Sequence, residues 1–235
     1  LRNLLRLISF NIKYLQYHVL DTETIGLNPP PEPASGVVQV AWAEIHPISL
    51  DVIYSHQQLV CPQAPIHPEA SKVHGWYETD VIGEPNLEEV YSPAQPTVLI
   101  CHNVAFDVKF VGRYIQNLAG TLCTLTLARH YVRDSKNHKL ATLAEHFGLD
   151  TGKAHDAGGD VHTTVQLLRK LVEISGKTLP ELVAANKVRT FHVMPFGMHK
   201  GKRFSALPAK YLEWFLEQEI DEDLRHSITQ ELRTR

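Results

Sequence analysis

The chain has 235 residues, 43% of them hydrophobic and 21% charged, which excludes wholesale disorder and allows one large folded domain with a small appendage. No stretch approaches the roughly 20 apolar residues of a membrane-spanning helix, so no membrane partner is expected. The formal net charge of −3 argues at first against a nucleic-acid ligand, and three scattered cysteines, Cys61, Cys101 and Cys123, lack paired metal spacing and fit free thiols in a reducing, cytoplasmic setting.

Residues 1–15 form a lead whose apolar stretches are too broken by Arg2, Arg6 and Lys13 for a secretory core. Residues 17–20 (YHVL) predict a short buried strand ending at Asp21. The prolines at 29, 30, 31 and 33 mark a loop. Residues 36–45 and 50–61 follow as a second and third strand. Residues 68–74 suit a short helix with proline in its first turn. The run Thr97-Val98-Leu99-Ile100-Cys101 is continuously apolar, as in a central strand covered on both faces. Residues 104–118 predict a helix, with Phe106, Phe110 and Tyr114 at helical spacing, and residues 140–147 another, stopped by Gly148. Residues 159–175 carry Val161, Val165, Leu168 and Val172 on one helical stripe. Early strands followed by alternating strand and helix indicate an α/β domain with a mixed sheet, over 16–185. A break near 185–193 precedes a second module, 194–235, with two short helices at 207–216 and 222–232. It is too small to be more than marginal alone.

Four carboxylates sit at the edges of these apolar runs. Asp21 and Glu23 alternate at a strand end, so both side chains point to one face. Asp107 and Asp160 fall in the first turns of two helices, where the helix N-termini add positive potential. Such a set is repulsive without a cation. Hard oxygen ligands suit Mg²⁺ or Mn²⁺, and two ions clamp the attacking and leaving oxygens of a phosphoryl displacement. Two divalent ions, bringing four positive charges, would turn the formal charge from −3 to +1. His155, five residues before Asp160, is placed on the preceding loop, where it could serve as general base. Positive charge also gathers in the tail: 186–210 holds six Lys or Arg and no Asp or Glu. Singly, each motif is common; a helix-start Asp usually caps and a lone His is usually structural.

Taken together, three motifs resemble those of the DEDDh 3′→5′ exonucleases, the superfamily that includes proofreading exonucleases. They are Asp21-Thr22-Glu23-Thr24 with Gly26, His102-Asn103-x-Ala105-Phe106-Asp107, and His155-x-Ala157-x-x-Asp160. Ile66-His67-Pro68-Glu69-Ala70 with His74-Gly75 is similar to the segment between the first two. The resemblance covers about 16–175. It implies a ribonuclease H-like mixed sheet flanked by helices, two metal ions on Asp21, Glu23, Asp107 and Asp160, and His155 as the base. It also implies substrate contacts from Thr24, Leu27, His74, Asn103 and Phe106. Leu27 would pack on the terminal base, although a core leucine reads equally well. His74 would lie beside the 3′-terminal nucleotide, or merely end a helix.

The tail, Met194-Pro195-Phe196-Gly197-x-His199-Lys200-Gly201-Lys202 with Tyr211-Leu212-x-Trp214, is similar to the C-terminal extension of the exodeoxyribonuclease X branch. That likeness favours DNA 3′ ends, single-stranded or frayed, as the partner. Lys200, Lys202 and Arg203 are expected to grip it, while Phe196, Leu207, Tyr211 and Trp214 pack as a small core. RNA trimming, or a non-cutting module that binds nucleic acid or a polymerase, are the alternatives.

Overall fold

The computed structural model describes residues 15–152, 156–186, 191–218, 220 and 222–233. They divide into two compact units, 1–185 and 186–235.

The first unit is built on β1 (Gln16–Thr24), β2 (Val37–Ile45) and β3 (Val52–Leu59). After α1 (Pro68–His74) and α2 (Leu87–Val90) come β4 (Thr97–Cys101), α3 (Val104–Val111) and β5 (Leu118–Cys123). Four helices complete it: α4 (Thr124–Tyr131), α5 (Leu140–Phe147), α6 (Ala157–Ser175) and α7 (Leu179–Ala185). The strand order is β3-β2-β1-β4-β5. The β3–β2–β1 part is antiparallel and β1–β4–β5 is parallel. This is the mixed sheet flanked by helices that the sequence leads one to expect.

Alternation along β1 sorts the two layers. Val19 joins Ile100, Leu122, Val161, Val165 and Leu168 on the α6 side. Leu20 joins Leu99, Val104, Phe110 and Tyr91 on the α3 side. Helix α6 is buried along a second stripe as well, with Leu167 and Leu171 against Ala128 and Leu143 of α4 and α5. Each fully buried Val or Leu contributes about 1.5–3 kcal/mol, so this helix, and Asp160 on it, is firmly seated.

Two boundaries differ from the sequence expectation by more than two residues. Strand β1 does not stop at Asp21 but runs on to Thr24, because β2 continues to pair with it, Asp21 with Ala41 and Glu23 with Gln39. The helix expected over 104–118 is only α3; the chain tightens at Gly112–Tyr114 and then enters β5. β5 gives little sequence signal because it is a sheet edge, its first two side chains exposed and two of its six residues Ala and Gly.

The second unit folds around Met194, Phe204, Leu207, Leu212, Phe215, Leu224 and Ile228. It contains α8 (Ala209–Leu216) and α9 (Glu222–Arg233). Ahead of α8 the chain doubles back: the Met194 amide donates to the Lys202 carbonyl at 2.9 Å and the Gly201 amide to the Met194 carbonyl at 2.7 Å. Gly197 (φ 77°) and Gly201 (φ 79°) supply the left-handed backbone this turn requires.

Candidate active site

The sheet places the carboxylates on its rim. Asp21 and Glu23 follow Val19 on the α6 side of β1. Asp160 rises from the first turn of α6 to meet them. One oxygen of each of the three lies within 4.8 Å of the others. Asp107, in the first turn of α3, is buried and comes from the opposite layer. Thr22, between the two β1 acids but facing the other way, donates its hydroxyl to Asp107 Oδ1 at 2.9 Å. The Cys101 thiol, at the end of β4, donates to the same carboxylate.

This packing is electrostatically costly. Burial, then Asp107, Asp160, Glu23 and Asp156, holds the Asp21 carboxyl well above the usual range. Burial and then Asp160, Asp107 and Asp156 push Glu23 to about 8. Asp107 rises to about 7 by burial, although the Thr22 and Cys101 donors oppose the rise. The charged neighbours of Asp21 and Glu23 are acids, so the electrostatic deficit is one that a divalent cation would fill.

The α6 start is fixed by two strands. Asp156 caps it, accepting from the Gly159 amide at 3.3 Å. The Gln57 amide of β3 donates to Asp156 Oδ1 at 2.8 Å, and the Gln39 amide of β2 to the same oxygen at 3.1 Å. Gln39 also accepts from the Ala157 amide at 2.9 Å. Gly158 leaves the space for the Gln57 carboxamide, into which any β-carbon there would project. The sequence alone does not single out Asp156, Gln39 or Gln57, since glutamines in a strand pattern signal nothing by themselves. His155 lies outside the described residues.

Beside the acids lies a cavity of about 630 Å³, lined by Glu23, Thr24, Leu27, His67, Val73, His74 and Phe106 among others. Leu27 is 79% exposed, so it is no core leucine; it stands free at the cavity edge. His74 is buried at the end of α1, its Nδ1 accepting from the Trp76 amide at 3.0 Å, and burial lowers its pKa. It is both a helix-end histidine and a cavity wall. Its Nε2 side faces the Thr24 backbone without reaching good hydrogen-bond geometry. The Thr24 hydroxyl is committed to the Gly26 carbonyl at 2.8 Å, shaping the turn after β1. Phe106 tilts against Phe110, ring centroids 5.2 Å apart. Asn103 is exposed with φ 88°, a left-handed conformation that asparagine tolerates and that turns the chain from β4 into α3. His67, within the segment that resembles the family between the first two motifs, joins the wall, as does Val73, which no sequence signal assigns to the site. His102 is not in the cavity. It bonds Thr124 Oγ1 at 3.0 Å and the His138 carbonyl at 2.9 Å, and burial lowers its pKa to about 4, so it braces the β4–α3 junction as a neutral ring.

A rim of acids at the end of a central strand, on this sheet order, defines a nuclease class. The family model described as "Exonuclease" matches residues 18–168, and the chain belongs to that family. Among relatives, exodeoxyribonuclease 10 of Escherichia coli (strain K12) is 26% identical over 206 residues, covering 83% of this chain and 88% of that protein. The PolC-type DNA polymerase III of Caldanaerobacter subterraneus subsp. tengcongensis is 31% identical over 199 residues, covering 76% of this chain, which spans only 14% of that protein. The solved structure of exonuclease X in complex with 5′ overhanging duplex DNA aligns with a TM-score of 0.59 and 26% identity, over 72% of this chain and 98% of that one. The nuclease domain of 3′hExo, a DEDDh family member bound to rAMP, shares the fold at a TM-score of 0.53 and 15% identity, over 68% of this chain and 92% of that one. Residues 186–222 match a family model described as "Putative quorum-sensing-regulated virulence factor".

Proposed function

We propose that this chain is a divalent-metal-dependent 3′→5′ exodeoxyribonuclease that releases nucleoside monophosphates from single-stranded or frayed DNA 3′ ends. The observation that carries the reading is the convergence of Asp21, Glu23 and Asp160 within 4.8 Å, with Asp107 bearing on Asp21. An all-carboxylate donor set fits Mg²⁺ or Mn²⁺. Asp21, Glu23 and Asp160 would hold one ion, and Asp21 with Asp107 the second. When bound, such a pair stabilises charge on the attacking and leaving oxygens and acidifies water.

The chain's own residues do the rest. Thr22 and Cys101 keep the Asp107 carboxylate turned to the site. His155 would take the proton of the attacking water, a task suited to an imidazole. The α3 and α6 N-termini favour the phosphate. Leu27 and Phe106 offer apolar surface to the terminal base in the 630 Å³ cavity, and His74 closes its side. Preference for DNA is supported by the likeness to exodeoxyribonuclease 10 over most of both chains.

Digestion of matched 3′-labelled single-stranded DNA, duplex DNA and RNA tests the reading. Mononucleotide release from DNA with Mg²⁺, abolished by EDTA, is expected. Faster attack on RNA would make the protein an exoribonuclease. Binding without release in either metal would leave a nucleic-acid- or polymerase-binding module.

A further inference from the structure

The expectation that Phe196 and Trp214 pack into the tail's core is not met. The core of 186–235 is closed without them by Met194, Phe204, Leu207, Leu212, Phe215, Leu224 and Ile228. Phe196 is left 49% exposed, Trp214 50% and Met198 82%. The rings nevertheless form one continuous group. Phe196 lies 5.8 Å from Phe215, Trp214 lies 5.8 Å from Tyr211, and His199 meets Tyr211 edge-on at 4.5 Å. A β-carbon on Gly197 would stand 3.9 Å from Tyr211 Oη, so the doubled-back loop rests on that ring. Lys200, Lys202 and Arg203 on the same loop are exposed and make no ion pair among the described residues. Acids of the same unit are Glu213 and Glu217 on α8 and its end, both exposed, and Glu231, which lines a cavity together with Arg203.

We infer that the 186–235 unit is a second binding surface for unpaired nucleic-acid strand, independent of sequence, in which Phe196 and Trp214 stack on bases and Lys200, Lys202 and Arg203 hold phosphates. The inference rests on the nuclease reading only for the identity of the strand as substrate. Half-exposed rings beside unpaired cations are what a polyanion carrying flat apolar groups requires. Because every base has a π face, such a surface needs no base-specific donor. Covalent attachment to the catalytic unit would keep a strand near the rim between cleavage events.

Anisotropy of the full-length protein in EDTA, which prevents turnover, tests this with two labelled strands of equal length: oligo(dT) and an abasic deoxyribose-phosphate strand. Replacing Phe196 and Trp214 together by Ala should weaken dT binding about 5- to 150-fold for each base no longer stacked and leave abasic binding near wild type. Replacing Lys200, Lys202 and Arg203 by Ala should weaken both strands alike. It should flatten log affinity against log salt by up to about 0.7 for each phosphate no longer held. Met198→Glu, at a site too exposed to affect folding, should weaken both strands. The idea is overturned if dT and abasic strands respond alike to loss of the rings, if the salt slope is unchanged in the triple variant, or if Met198→Glu binds as wild type. An acidic peptide or protein as the true occupant would give the first two results. Failure of the nuclease reading looks different: wild type would bind but release no nucleotide in Mg²⁺.

Discussion

The two units carry opposite charge by opposite means. In the 1–185 unit, acids are driven together on a sheet rim, buried or half-buried, each braced by neighbours: Asp107 by Thr22 and Cys101, the α6 start by Gln39 and Gln57. In the 186–235 unit, Lys200, Lys202 and Arg203 stand apart on a surface loop, with no side-chain hydrogen bond among the described residues. Rate depends on placement to a fraction of an ångström, so it needs a scaffold. Affinity for a polyanion depends mainly on the number of charges, so a loop suffices. Changes to the rim acids themselves should therefore be near all-or-none, and changes in the second unit graded.

The largest expected effect is loss of a rim acid. Asp21→Asn or Asp160→Asn should lower single-turnover nucleotide release by about 10⁴-fold or more, because on the proposed mechanism each of the two ions would supply several kcal/mol and would be displaced or misplaced. The fold should survive, since each change also removes like-charge repulsion. Near-normal release in either variant would erase the contrast. Next, His155→Ala should slow release by about 10²–10⁴-fold, the usual contribution of a general base. Mn²⁺ binding, followed by calorimetry, should persist; its loss would make His155 a ligand.

The third effect is on stability. Glu23 is raised from 4.5 to about 8 in the fold, so between those values the folded state holds the more protons. Its contribution is fully present below pH 4.5 and is lost as pH rises to about 8. Metal-free protein should thus melt at lower temperature at pH 8 than at pH 5, more so than the Glu23→Gln variant, and Mg²⁺ should restore it. A melting profile equally flat with and without Glu23 would remove the evidence that the rim is strained. The smallest effect is Gly158→Ala, which would push the Gln57 carboxamide off Asp156. Loss of one such hydrogen bond, about 1 kcal/mol, should reduce release by roughly fivefold or less; a collapse like that of Asp21→Asn would show that the bracing tolerates nothing.

Much of the molecule is legible in the chain because its chemistry is concentrated in few residues. Asp21, Glu23, Asp107 and Asp160 announce themselves by type and by the strand or helix edge each occupies. The order of the apolar runs gives the layers, and β4 is buried at every position, apolar from Val98 on, because both of its faces are covered. What stays hidden is long-range. Nothing local says that Gln39 and Gln57 will reach a helix start 117 and 99 residues away. β5, short and half-exposed at the edge, lacks the alternation that would separate it from the helix before it. Leu27, Phe196 and Trp214 look like core by composition, and only packing reveals that other side chains have already filled the space.

The double clasp of Gln39 and Gln57 on Asp156 has a further consequence for redesign. Strands β2 and β3 hold the start of α6 at Asp156, while the chain arriving from α5 is tied further along the helix, where Gln166 Nε2 donates to the Asp150 carbonyl at 2.6 Å and Leu149 packs with Leu167 and Leu171. Sequence inserted or exchanged between Gly152 and Asp156, past those ties, should therefore leave the acid rim assembled. A proton-accepting residue could be transplanted, lengthened or swapped there as a separable part, with metal retention as the built-in control.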